Sequence, residues 1–256
     1  MATESWGVPS HKQGEEADAK KYTGTTSKIL RGEQHPPFGI GTLGVATQEK
    51  VTATHNGEER EVNLVAKYFT QRTGPDSLES AVAAFKLLKE AGVEHIPITY
   101  RQVGISEVLM TDYNRDNKVA VGGNRNEKAK NLRVTSITNF PELLASIGED
   151  LRRVTDAGIS IFTDSYFFII PISGGDAEVN FVIGDLGGIG RLGKYHAAKY
   201  WHEANTVRAK FALQSFIFWH VVESRQAEYE NQILKWTKNS ADDALANEAM
   251  DRGSNL

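Results

Sequence analysis

The 256-residue chain contains no cysteine, which removes disulfide stapling, thiolate nucleophiles and cysteine-ligated zinc or iron–sulfur clusters. Long apolar runs are missing too. The longest fall well short of the roughly 18 residues that a membrane span needs. The first thirty residues, MATESWGVPSHKQGEEADAKKYTGTTSKIL, lack a basic start followed by an apolar run and a small-residue cleavage site, so secretion is not expected. Neither sign of charge dominates. With 33 acidic and 29 basic residues, a formal charge of −4 and a pI near 6.0, there is no global attraction to nucleic acid or anionic lipid. His35, His55, His95, His196, His202 and His220 show no HExxH and no paired spacing, so a histidine metal centre is not expected. These absences point to a cytoplasmic protein without a membrane or nucleic-acid partner.

What is present is an ordinary globular balance, 40% hydrophobic and 24% charged, enough for one core or for two small lobes. Residues 1–28 and Asn239 to Leu256 are polar and short of aliphatics, and read as flexible tails. From Phe38 to Phe69 the pattern is that of strands: a glycine-punctuated turn, VTAT, a His55-Asn56-Gly57 turn and EVNLVAKYF. Leu78, Val82, Phe85 and Leu88 then predict a helix from Asp76 to Ala91, stopped at Gly92. Ile96 to Val103 and Glu107 to Tyr113 predict a second hairpin around Gly104. Asn114 to Asn131, polar with two glycines, reads as a linker. Beyond it come a helix through FPELLASIGEDLRRVTDAG, strands over Ile159 to Ile172 and Glu178 to Gly184 joined by a hairpin at Ser173-Gly174-Gly175-Asp176, and helical periodicity from His196 to Lys238.

Three constellations carry chemistry. The string Gly39-Ile40-Gly41-Thr42-Leu43-Gly44-Val45 places glycines where backbone N–H groups can approach phosphate oxygens with no Cβ in the way. In a dinucleotide-binding βαβ unit the third glycine of such a string opens a helix. Here it leads into VTAT and a hairpin, which disfavours that reading. Lys67 follows Val65-Ala66 near the end of a strand; burying its ammonium is costly unless an anion meets it, although a lysine at a strand end also commonly points outward. Asp164 and Asp185 stand at the ends of neighbouring expected strands, where one carboxylate can serve as base and the other as a Mg²⁺ ligand. Each alone is more often a turn or cap residue.

In this order, the glycine string, Val65-Ala66-Lys67, Asp164 and Asp185-Leu186-Gly187 resemble the landmarks of the protein-kinase-like superfamily, over roughly Phe38 to Leu192. The resemblance implies an α+β, two-lobed fold: a small antiparallel β-rich lobe with one helix (residues 29–113) and a mainly helical lobe (residues 114–238). It further implies that ATP and Mg²⁺ are the cofactors, with Gly39, Gly41, Gly44 and Val45 over the phosphates and Lys67 on the α- and β-phosphates. Asp164 would orient or deprotonate the acceptor hydroxyl, Asp185 would ligate Mg²⁺, and Thr111, Asp112 and Tyr113 would line the adenine. The acceptor is a protein or a small molecule.

The sequence also departs from that pattern. Five residues after Asp164, where the family carries a metal-binding Asn, stands Ile169. Ala81 stands where the helix is expected to carry a Glu for the lysine, and Glu79 is as readily the partner of Asp76 in a capping box. The residues before Asp164 are Phe162-Thr163, and no APE string follows Asp185. Two further readings therefore stand beside an atypical kinase: a catalytically dead pseudokinase acting as a scaffold or allosteric partner, and an unrelated α+β interaction domain with no nucleotide effect.

Overall fold

A computed structural model describes residues 28–41, 44–55, 58–74, 77–98, 100–103, 105–113, 117–121, 133–171, 175–191 and 198–253. Residues 1–27, expected as most of the N-terminal tail, lie outside it. The chain is α+β, with antiparallel sheet in its N-terminal part and helices concentrated toward its C-terminus.

Strands β1 (Lys28–Gly41), β2 (Gly44–His55), β3 (Glu58–Phe69), β4 (Tyr100–Val103) and β5 (Glu107–Thr111) form one antiparallel sheet in the order β1-β2-β3-β5-β4. The strands of both expected hairpins pair, while their expected turns at residues 56–57 and 104 lie outside the described residues. The first strand begins at Lys28, about ten residues before the apolar pattern at Phe38 announces it, and pairing with β2 breaks register between Arg31 and Gly39. Such irregularities spoil the period-2 signal by which a strand is read.

Helix α1 (Leu78–Glu90) joins β3 to β4 and buries Leu78, Ala81, Ala84 and Leu88 against the sheet. Its cap is Ser77, not Asp76: the Ser77 side chain accepts from Ser80 N–H and the Ser80 side chain accepts from Ser77 N–H. Glu79 takes no part in the capping box and pairs with Arg72 at 3.6 Å on the surface. The helix ends where Gly92 adopts φ +74°, with Val93 N–H donating to Leu88 O at 3.0 Å. This left-handed turn satisfies carbonyls the helix leaves open, at no Cβ cost.

The stretch expected as a linker contains β6 (Asn117–Val121), which pairs with β9 (Tyr166–Pro171), itself paired with β11 (Asn180–Ile183). Asn117 and Lys118 hid this short strand by their polarity. Helix α2 (Phe140–Asp156) opens with Pro141 and buries Phe140, Leu143, Leu144, Ile147, Leu151 and Val154. The region expected as one strand from Ile159 divides into β8 (Ile159–Ser160), a 3₁₀ turn over Thr163–Ser165, and β9. Of the hairpin connector expected at Ser173-Gly174-Gly175-Asp176, Ser173 and Gly174 lie outside the described residues, while Gly175–Ala177 forms β10, parallel to β7 (Val134–Ile137). Strand β12 (Gly190–Arg191) pairs with β8.

Helices α3 (Ala198–His220) and α4 (Glu223–Gly253) follow. Asn239 to Gly253, expected as a tail, continues α4; NSADDALANEAM has too few apolar residues for a core but alanines enough to hold a helix by propensity. One apolar cluster runs from Val65 and Leu78 through Phe140, Phe168 and Phe181 to Phe216 and Tyr229. Phe168 stacks on Phe216 at 4.6 Å, and the Tyr229 hydroxyl accepts from Ile137 N–H at 2.7 Å. Among the described residues no helix is long and apolar enough to cross a membrane.

Candidate functional site

Register decides which side chains share a face with Lys67, because residues directly opposite in an antiparallel pair lie on the same side of the sheet. Lys67 is opposite Ala46 on β2 and Val108 on β5. Val65 and Phe69, two positions away on β3, pack with α1 in the core, so Lys67 projects on the side of the sheet that carries α1. At the same end of the sheet, Gly39 is opposite Ala46, Gly41 is opposite Gly44, and Gly44 is opposite Phe69. The three glycines thus stand on strands β1 and β2 where these approach the end of β3. The tip, residues 42–43, lies outside the described residues. Val45 pairs with Tyr68, one step out of phase with Lys67, so Ala46 rather than Val45 is the β2 residue in line with the lysine.

Asp185 follows β11 at its C-terminal end. Lys67 Nζ donates to Asp185 Oδ1 at 2.8 Å across 118 positions of sequence. Both side chains are partly exposed, a setting in which an ion pair contributes little stability. The backbone around Asp185 is fixed from two sides: Ile183 N–H donates to His95 O at 2.7 Å, and Gly184 N–H donates to Ser165 O at 2.9 Å. The second of these bonds ties the strand end bearing Asp185 to the 3₁₀ turn bearing Asp164. Asp164 is exposed and its neighbour Ser165 is buried.

The segment leading to Asp164 is held from α3. Asn205, wholly buried, accepts from Ile161 N–H at 3.0 Å through Oδ1 and donates to Ile159 O at 2.9 Å through Nδ2. Arg208, one turn further, bonds Ser160 Oγ, donates to Ile161 O at 3.3 Å and lies over the Phe162 ring at 4.7 Å. A short loop therefore has both its polar backbone and its entry angle set by one helix.

Thr111 ends β5, opposite Leu64, and is buried. Asp112 follows, also buried, and accepts from Gln48 Nε2 at 2.9 Å, which ties the exit of β5 to β2. Tyr113 packs with Ile169 and Val182, and burial pushes its phenol well above the ordinary range. Its side chain is committed to the interior. Ile169 is a buried residue inside β9, opposite Asn180 and Val119. Counting five residues from Asp164 therefore lands in a strand, since only residues 161–165 separate β8 from β9.

Toward a divalent cation Asp185 offers a carboxylate. Asp185 Oδ1 is engaged by Lys67, while its carboxylate remains partly exposed, and no group of three or more metal-ligating side chains occurs among the described residues. Mg²⁺ is commonly held by one or two carboxylates with phosphate oxygens and water making up the rest, so Asp185 fits such an ion only together with a phosphorylated ligand. Lys67, with three ammonium donors of which Asp185 takes one, retains donors for an anion.

Position alone gave no reason to single out Ala46, Gln48, Ser80, Asn205 or Arg208. Asn205 is one of three buried polar residues among those described in α3, with Thr206 and His220, so its polarity alone did not mark it. No protein-family model matches this sequence, and no curated protein shows significant sequence similarity to it.

Proposed function

We propose that the chain is a phosphotransferase of the protein-kinase-like fold, moving the γ-phosphate of ATP to a hydroxyl of a protein or small-molecule acceptor. The observation that carries this reading is the 2.8 Å contact between Lys67 and Asp185, with the turn bearing Asp164 tied beside it through Ser165 and Gly184. In this reading the ammonium of Lys67 is drawn to phosphate oxygens by charge and remains anchored by Asp185. Backbone N–H groups near Gly39, Gly41 and Gly44 meet the phosphates, and backbone groups from Thr111 to Tyr113 meet the base. Asp164, exposed at the turn, would accept the proton of the acceptor hydroxyl as its oxygen bonds to the γ-phosphorus and the bond from that phosphorus to the bridging oxygen breaks, releasing ADP. Asp185 is the residue that would hold Mg²⁺, which when bound neutralises charge on the phosphates.

A second reading, a pseudokinase that binds a partner without transferring phosphate, draws on two specific observations. Ile169 sits in a buried strand position and supplies no oxygen, and Ala81, where the resemblance expects a carboxylate for the lysine, is a buried residue of α1 with Glu79 engaged by Arg72.

Thermal denaturation with and without ATP and Mg²⁺, on the native protein and on Lys67→Ala, tests nucleotide binding, because a ligand that binds only the folded state raises its stability. A Mg²⁺-dependent rise lost in Lys67→Ala supports a nucleotide site; no rise at millimolar ATP refutes one. Phosphate transfer from labelled ATP that is abolished in Asp164→Ala, with the nucleotide-induced rise retained, supports catalysis over the pseudokinase reading. Transfer unchanged in Asp164→Ala would remove that residue from the mechanism.

A further inference from the structure

Helix α3 buries one side in the core through Ala209, Ala212, Leu213, Phe216 and Ile217. Its other side is unusual: of the described residues classed as exposed on it, Tyr200, Glu203, Val207, Phe211 and Phe218, only Glu203 is polar. At about 100° per residue, Val207, Phe211 and Phe218 fall within roughly 20° of the line through Tyr200, and the stripe runs about 27 Å along the helix. The four side chains are 57%, 44%, 57% and 53% exposed in the order Tyr200, Val207, Phe211, Phe218. An exposed apolar patch of a few hundred Å² on a monomer is often functional.

We infer that this stripe is the contact between two copies of the chain, packed antiparallel through α3. The reason is its spacing. The intervals 7, 4 and 7 between Tyr200, Val207, Phe211 and Phe218 read the same in both directions, so a two-fold axis beside residue 209 sets Tyr200 against Phe218 of the second copy and Val207 against Phe211. A self-complementary patch is what an isologous interface requires, since each residue must meet the image of another residue of the same patch. Charge does not oppose the pairing: Glu203 falls opposite Ser215, not opposite a carboxylate. Lys210 and Arg208 come opposite one another, but both lie roughly 80° off the line, and the guanidinium of Arg208 is turned onto Ser160 and Ile161.

The area sets the strength. Each aromatic side chain carries roughly 150–250 Å², so about half of it at three positions, with Val207, yields roughly 400 Å² per copy. About 800 Å² in total is below the roughly 1,200–2,000 Å² of a standard stable interface. The dimer is therefore weak and reversible. The contact uses none of Lys67, Asp164 or Asp185 and is independent of nucleotide chemistry.

Sedimentation velocity on the full chain, from low to several hundred micromolar, tests association. The expected result is a sedimentation coefficient that rises with concentration in the native protein and stays monomeric in Phe211→Glu, whose melting curve is unchanged because Phe211 is on the surface. Orientation is tested separately. Because the chain has no cysteine, an oxidised mixture of Val207→Cys and Phe211→Cys proteins reports on their proximity, a disulfide requiring Cα atoms within about 7 Å. Antiparallel pairing gives mixed dimers in preference to either homodimer. A native protein monomeric throughout, association untouched by Phe211→Glu, or preferential homodimer cross-links each overturns the inference.

Discussion

The hydroxyl of Ser80, in the first turn of α1, reaches Gly187 O at 3.0 Å, so the helix behind Lys67 is tied directly to the loop that carries Asp185. The same oxygen accepts from Ser77 N–H at 2.8 Å and lies 2.9 Å from Ser77 O. Ser80→Ala removes both the capping box and the tie. A loss of about 1 kcal/mol in urea unfolding is expected, the ordinary value of a helix cap. Ser80→Thr, which keeps the hydroxyl, should lose less; equal losses would show that the oxygen is not what matters.

Gly184 is pressed against the ring of Phe167. A Cβ at Gly184 would fall far inside contact distance of Phe167 Cδ2, although the backbone there needs no left-handed conformation. Gly184→Ala is therefore expected to destabilise by about 1–3 kcal/mol through overpacking, and to displace the adjacent Asp185. Phe167→Leu in the same chain should recover part of the loss, a coupling that a double-mutant cycle measures.

Asn205 is expected to be intolerant even of its closest relative. Asn205→Asp keeps an acceptor for Ile161 N–H but loses the donor to Ile159 O and sets a carboxylate against that carbonyl. Because an unsatisfied buried polar group costs about 1–3 kcal/mol, a loss of at least that size should appear in denaturant melts. In Asn205→Ala, which removes the acceptor of Ile161 N–H, hydrogen exchange of that N–H should accelerate well beyond the global change if Asn205 positions the segment before Asp164.

Acid sensitivity should centre on Asp150. Burial alone would raise its pKa, but the hydrogen bond and charge of His95, with the backbone N–H groups of Glu94 and His95, outweigh burial and hold it below the ordinary value. Arg153 adds a contact at 3.1 Å. A carboxylate depressed in the folded state contributes stability that is fully present above its unfolded pKa and is lost as pH falls through the folded one, here below about pH 4. Asp150→Asn should cost about 3 kcal/mol at neutral pH, and the gap to the native protein should narrow on acidification. A gap constant with pH would mean that the charge contributes nothing.

How much of this was legible in advance varies with range. Helices α1 and α2 were readable because an apolar stripe at helical spacing and a stopping glycine, Gly92 or Gly158, are local signals. The β4–β5 hairpin was readable for the same reason. The start of β1 and the existence of β6 were not, because a strand of polar residues is defined by its partner, and β9 lies about 50 positions beyond β6. Capping by Ser77 and Ser80, where Asp76 and Glu79 were expected, was decided by the geometry of one turn, which side-chain chemistry alone does not fix.

For the site, the residue types at Lys67, Asp164 and Asp185 were visible as chemistry-bearing positions, but no spacing rule brings Lys67 to Asp185 across 118 positions. What the sequence by itself determined is the α+β character, the main helices and hairpins, and the absence of cysteine chemistry, since these depend on residue type and on periods of two to four residues. Only the tertiary structure decided that Ala46 rather than Val45 aligns with Lys67, that Asn205 and Arg208 of α3 hold the segment before Asp164, and that Ser80 reaches Gly187. Strand register and helix docking are set by the packing of the whole core, and one residue of slip or one turn of rotation would exchange every such partner.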